Sequence, residues 1–270
     1  MPAPLAKFLS QRNETPTIQS LDRGLIILET VGRSPSPVSL GQLTKILGID
    51  RSSAFRLANT LKRRGFLANA AAGKDYVLGT AVWRLSREYD WRGMLATIAH
   101  DHLQKLAAIT GETAHLAVRE GRSARFIDHA DVTNHVITVA GQTGELVPLY
   151  CTSHGKALLA DCDEVALKRL FGPKPLSRHT KNTLTSVAKL AEACRQIRVR
   201  GFAGDDSEYL EGVRCVAAPI RDREGAVIAS IGISAPAPRL PNEREPKVAA
   251  HVKRAAVEIS DLLTVPYRPH

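Results

Sequence analysis

Five cationic side chains, Arg51, Arg56, Lys62, Arg63 and Arg64, crowd the stretch GIDRSSAFRLANTLKRRGF (residues 48–66), and no acidic residue falls between Arg51 and Lys74. Their spacing decides what they can do. Ala54, Leu57, Ala58 and Leu61 recur at i, i+3, i+4 and i+7, the stripe of one buried helix face. At about 100° per residue, Ser52, Arg56, Asn59 and Arg63 gather near the opposite pole, with Lys62 and Arg64 on the flanks. One side is built to be covered. The other presents guanidinium, amide and hydroxyl groups in a row, the donors that suit base edges and phosphate oxygens in a major groove. A merely solvated surface helix interleaves acids with bases, and this one does not.

Such a helix needs elements that hold it. SLGQLTKILGID (39–50) reads as a shorter helix with Leu40, Leu43, Ile46 and Leu47 as its apolar face. Ser39 and Gln42 have capping-box spacing. Gly48 suits the left-handed turn that stops a helix, and Asp50 is placed to cap the next one. Helix, short glycine turn, helix is the helix-turn-helix pattern. SLDRGLIILETV (20–31) supplies a third helix, with Leu21, Leu25 and Leu28 on one side. After the pair, Phe66–Asn69 and Tyr76–Leu78 read as two strands around a tip that carries Gly73 and Lys74, a wing able to set Lys74 against a phosphate or a minor groove. The DNA-facing set is therefore Ser39, Arg51, Ser52, Ser53, Arg56, Asn59, Lys62, Arg63 and Lys74.

The 270 residues have room for a small and a medium domain, and 44% apolar with 24% charged residues is an ordinary globular balance. The formal net charge is +10, which favours an anionic partner or only solubility. Its distribution says more. Residues 40–78 hold seven Lys/Arg against two Asp/Glu, whereas 91–270 hold 24 against 20. The four cysteines, Cys151, Cys162, Cys194 and Cys215, form no CxxC pair, so neither a disulfide framework nor a structural zinc site is expected. His100/His102 and His115/His129/His135 lack a ligand motif, and no metal or other cofactor is expected. No apolar run is long enough to span a membrane and no signal peptide is visible. The expectation is a reduced, cytoplasmic protein with a loose arm over 1–17.

The remainder alternates differently. Residues 80–112 are helical over most of their length, with Val82 and Leu85 and then Leu95, Ile98, Leu103 and Leu106 as apolar positions. This segment could link the reading head to the next domain and pair with a second chain. TAHLAVREGRSARFIDHA (113–130) is a hairpin around Glu120-Gly121, and HVITVA (135–140) is β-branched. SHGKALLADC (153–162) is a helix that Ser153 could cap. SVAKLAEACRQIRVRG (186–201) is amphipathic through Val187, Leu190, Cys194 and Ile197. VRCVAAPI and AVIASIGIS flank the turn RDREG, and 246–263 forms a last helix. Antiparallel strands with helices at intervals indicate an α+β fold, not a doubly wound sheet.

The sequence resembles the IclR family of bacterial transcriptional regulators from about Ile18 to Leu263. The motifs are LDRGLIILETV, LTKILGIDRSSAFRLANTLKRRGFL and YVLG at the head, then PLYCTSHGKALLA, GFAGDDSEYLEGVRCVAAPI and SIGISAP. The resemblance implies a flexible arm (1–17), a winged helix-turn-helix domain (18–79), a linker helix (80–99) and a GAF-like effector-binding domain (100–265). It also implies a homodimer, or a dimer of dimers, on a palindromic double-stranded operator, controlling a catabolic operon in response to a small organic acid. By motif, the family's pocket Asp falls on Asp205, its Cys on Cys215 and one Ser on Ser234. The other Ser falls on Gly232, which removes a donor and makes space, and so points to a larger ligand such as an aromatic acid. The helix start through Ser153, His154, Gly155 and Lys156 would offer free amides to a carboxylate.

Two other functions are open to the same residues. Cys215 with a histidine base could make a cysteine-dependent enzyme, although no nucleophile signature surrounds it. Without an effector, the second domain could serve a constitutive DNA-binding protein. In bland terms, Cys215 is a packed strand residue and Asp205 and Asp206 are turn residues.

Overall fold

The computed structural model describes residues 18–71, 73–131, 139 and 141–264. The expected arm over 1–17, His135 and most of the apolar run at 135–140 lie outside the described residues. The chain divides into two compact units between Asp90 and Trp91.

The first unit follows local sequence rules closely. Helices α1 (Gln19–Arg33), α2 (Leu40–Leu47) and α3 (Arg51–Arg63) precede a hairpin of β1 (Leu67–Asn69) and β2 (Tyr76–Leu78), and α4 (Thr80–Glu88) follows. The capping box forms: Ser39 Oγ accepts from the Gln42 N–H at 3.2 Å, and the Gln42 side chain accepts from the Ser39 N–H at 2.8 Å. Gly48 ends α2 in the left-handed conformation at φ 61°, which costs a glycine nothing. The Asp50 carboxylate then accepts from the Ser53 N–H at 2.9 Å, capping α3. Ile27, Val31, Val38, Leu43, Ala58, Leu67 and Tyr76 close the core.

The buried faces differ from the sequence expectation in two places. In α1 the covered residues are Gly24, Ile27 and Val31, while Leu21 and Leu25 are 60% and 51% exposed. Leu21 and Leu25 instead line an open groove with Leu57 and Leu61 of α3. In α2 Ile46 is 54% exposed, because Leu43 alone reaches the core centre.

In the second unit, α5 (Trp91–Thr110) leads into a six-stranded antiparallel sheet of order β5-β4-β3-β8-β7-β6, where β3 is Thr113–Glu120, β4 Ser123–Ala130, β5 Leu146–Pro148, β6 Ala203–Asp206, β7 Val213–Arg221 and β8 Val227–Pro236. Helices α6 (Ser153–Leu158), α7 (Glu164–Phe171) and α8 (Val187–Arg200) separate β5 from β6, and α9 (Glu245–Thr264) follows β8. Period-two alternation sorts the strand residues to two faces. Leu116, Val216, Ile231 and Ile233 join Leu103 of α5 and Val252 of α9 in one apolar layer. Ala203 and Ala217 meet Ala157 of α6 and Ile197 of α8 on the other. The fold is α+β with a helical layer on each side of the sheet. Glu112, 1% exposed, ties the β3 entrance to the chain after β8 through Arg239 Nη2 at 2.6 Å and Arg244 Nη1 at 3.5 Å. Among the described residues, no helix is long and apolar enough to cross a membrane.

Helix α6 is shorter than expected, and its N-cap is Thr152, not Ser153: Thr152 Oγ1 accepts from the Gly155 N–H at 3.1 Å. A cap residue must keep extended backbone, and Ser153 is already helical. Residues 80–110 are two helices, with Tyr89 extended between them.

Candidate functional site

The first unit presents its cations as the helix spacing requires. Ala54 and Ala58 are fully buried, whereas Arg51, Ser52, Arg56, Asn59, Lys62, Arg63 and Lys74 are exposed. Ser53 is half-buried, beside Arg56 and the α1 residues Ser20 and Arg23 in a shallow groove. Ser39, with its hydroxyl held in the capping box, lines a second groove with Arg51, Ser52, Phe55 and Lys74. Lys62 Nζ donates to the Asn69 side chain, and Asn69 Nδ2 donates to the Lys74 carbonyl at 2.9 Å, so the helix and the wing hold each other. The sequence reading missed Phe55, 52% exposed on the same helix; an exposed aromatic among cations was its signal.

In the second unit, β-sheet register builds a polar row. Asp205 of β6 lies opposite Cys215 of β7, Cys215 opposite Ser234 of β8, and Ser234 opposite Thr113 of β3. Asp205, Cys215 and Ser234 line one side of a cavity of about 50 Å3 under α6, which Thr152, Ser153 and His154 also line. Apolar walls come from Phe126, Val147, Leu210 and Val213, and His115 completes a corner. Cys215 Sγ donates to Ser234 Oγ at 3.2 Å. Asp205 Oδ1 accepts from the Glu208 N–H at 2.7 Å, and Lys156 is paired with Glu208 in the interior.

Electrostatics follow from burial. Burial raises the Asp205 carboxyl to about 7, against the Glu208 N–H and the Lys156 charge that favour its ionised form. Burial lowers His154 to about 3 and, with the nearby His129, lowers His115 to about 4. Both imidazoles are thus neutral at pH 7. Burial first, then the charge of Asp205, push the Cys215 thiol far above its ordinary range. A thiol held protonated and bonded to a serine hydroxyl has neither the charge nor the base that a cysteine nucleophile needs.

The cavity gathers five of the eight residues proposed for the pocket: Ser153, His154, Asp205, Cys215 and Ser234. Gly155, Lys156 and Gly232 are not on its wall. Gly155 is where α6 crosses Leu149 so closely that a Cβ would lie 2.3 Å from the Leu149 Cα. Lys156 spends its charge on Glu208. Gly232 corrects the expectation of added space. A Cβ there would lie 2.4 Å from the Val216 carbonyl oxygen and 2.6 Å from the Ala217 Cβ, so β7 has already closed on the room a side chain would take. Sequence reading missed His115, Phe126, Thr152, Leu210 and Val213 as lining residues. The strand alternation of His115 was legible, but the cavity that it faces was not. Among the described residues, no group of three His, Cys, Asp or Glu side chains is placed to hold a metal ion.

Comparison with known proteins agrees with both halves. Residues 20–70 match the family model for the IclR helix-turn-helix domain, and residues 92–261 match that for the bacterial transcriptional regulator IclR C-terminal domain. The HTH-type transcriptional regulator BhcR of Paracoccus denitrificans is 34% identical over 243 residues, covering 90% of this chain and 86% of its own. The transcriptional repressor IclR of Escherichia coli K12 is 32% identical over 248 residues, covering 91% and 90%. Among solved structures, the IclR protein of Thermotoga maritima superposes with a TM-score of 0.60 at 30% identity, covering 91% of this chain and 99% of that one.

Proposed function

The chain belongs to the IclR family of bacterial transcriptional regulators, and we propose that it couples the binding of a small organic acid to the occupancy of a palindromic operator upstream of a catabolic operon. It is a DNA-binding regulator and not an enzyme. Arg56, with Ser52 and Asn59, reads base edges. Arg51, Arg63 and Lys74 hold phosphates, and Lys62 fixes the wing against α3 while it does so. Ser39 and Ser53 shape the edges of the reading surface. A homodimer, or a pair of dimers, presents two reading helices to the two half-sites.

The acid enters the cavity of the second unit at Asp205, Cys215 and Ser234. Asp205 is raised to about 7, so it can keep a proton and donate it to a bound carboxylate, as two carboxyl groups sharing one site must. The cavity volume of about 50 Å3 suits a small aliphatic acid. An aromatic acid fits only if the walls move. Control is linkage: an effector that prefers one arrangement of the assembly changes operator affinity by the ratio of its two affinities.

One observation carries this reading: no acidic residue falls between Arg51 and Lys74, along the exposed face of α3 and into the wing. The experiment is binding of the purified protein to the DNA upstream of its own gene and to random DNA across a salt series. The expected result is a half-site footprint that weakens steeply with salt. Failure to bind any DNA at low salt would contradict it.

A further inference from the structure

One corner of the cavity is unexplained by the acid at Asp205. His115, Phe126 and His154 meet there, with ring centroids 4.7 Å apart for His115–Phe126, 5.3 Å for Phe126–His154 and 6.0 Å for His115–His154. His115 is 1% exposed, His154 2% and Ser153 0%. His154 Nδ1 is bonded to Ser230 Oγ at 3.0 Å. Its Nε2, the Ser153 Oγ and both ring nitrogens of His115 have no hydrogen-bond partner among the described residues. The Gly141 backbone borders the His115 ring closely enough to favour its protonated form slightly, without closing a hydrogen bond. Four buried, unpaired polar atoms are costly unless something binds them.

We propose that Ser153, His115 and His154 form a second polar subsite of the cavity, which takes an uncharged hydrogen-bonding group, a hydroxyl above all, at the end of the effector remote from its carboxylate. The inference rests on the cavity being the effector site. A methyl group in this corner would leave the four polar atoms unpaired. A second carboxylate would meet no cation: the described lining residues include no Lys or Arg, and Lys156 is committed to Glu208. Burial keeps both imidazoles neutral at pH 7. A hydroxyl both donates and accepts, so it fits either imidazole tautomer. A site built to bond a hydroxyl rejects the analogue that lacks one more strongly than a pocket rejects a missing methylene.

The test is calorimetric titration of the full-length protein with propionate, 3-hydroxypropionate and malonate, which share a three-carbon spine and differ at the far end. The expected result is binding of 3-hydroxypropionate at least tenfold tighter than either of the others. In Ser153→Ala and in His115→Phe, which keeps a ring against Phe126, the preference for 3-hydroxypropionate over propionate collapses. Equal binding of the three acids by the wild type, or a preference that survives both substitutions, would overturn the subsite and leave the effector reading standing. Binding of none of the three at 10 mM, by a protein that still binds DNA, would overturn the subsite and the effector reading together.

Discussion

Replacing Asp205 by Asn should stabilise the second unit, and by more as the pH rises. Asp205 has its pKa raised by burial from 3.8 to about 7. Below pH 3.8 the carboxyl is protonated in both native and unfolded chains, and it costs nothing. As the pH climbs from 3.8 toward 7, the unfolded chain ionises while the native one resists, so native stability is lost. Three pKa units correspond to about 4 kcal/mol once the pH passes 7. Asparagine escapes this cost, and its side-chain oxygen can still accept from the Glu208 N–H that now meets Oδ1 at 2.7 Å. The advantage of Asp205→Asn should therefore grow by roughly 3 kcal/mol between pH 5 and pH 8. Urea denaturation of both full-length proteins at the two pH values, following the transition that the substitution moves, measures it. The same variant should lose acid binding, a trade of stability for function common at binding sites. A stability difference that does not change with pH, or an Asn variant less stable at pH 8, would refute the reasoning.

Other outcomes follow from the same geometry. His115 and His154 have pKa values lowered to about 4 and 3; as pH falls below 6.5 the unfolded chain takes up protons that the native one refuses, so stability should fall toward pH 4, and less so in His115→Phe, by denaturation at pH 7, 5.5 and 4.5. Arg56→Ala should relax base preference by about 1–3 kcal/mol, whereas Lys74→Ala should weaken all DNA alike and reduce the salt slope by about 1, both read from operator and random-DNA affinities. Glu112→Ala removes the carboxylate that Arg239 and Arg244 share, while both guanidinium groups still reach solvent and Arg244 keeps the Arg239 and Thr110 carbonyls; a loss of about 1–3 kcal/mol is expected in denaturation. Gly155→Ala drives a Cβ to 2.3 Å from Leu149 backbone atoms; a loss of about 3 kcal/mol is expected, seen as a lowered Tm.

Local signals carried the first unit. The capping box at Ser39 and Gln42, the left-handed Gly48 and the Asp50 cap each depend on a few neighbouring residues, and each is visible in sequence. The buried face of α1 was not, because Leu21 and Leu25 are as apolar as Ile27 and only packing chooses between them. In the second unit the hairpins β3–β4 and β7–β8 were legible from alternation and turn residues. Strand β6 was not, since Ala203–Asp206 is short and acidic and reads as a turn; its neighbour β7 holds it in the sheet. The pocket residues Asp205, Cys215 and Ser234 came from resemblance to a family. Their alignment in one row is a register fact, which requires strands distant in sequence to be paired first. Gly232 was misjudged for the same reason: whether a missing side chain leaves space depends on the strand beside it.

The central claim is that acid binding in the second unit controls DNA binding by the first. The most direct measurement is operator affinity of the full-length protein with and without saturating 3-hydroxypropionate, repeated with Asp205→Asn. The account predicts at least a fivefold change in operator Kd, an equal change in acid affinity when operator is present, and loss of both effects in the variant. An acid that binds the wild type and leaves operator affinity unchanged would contradict it.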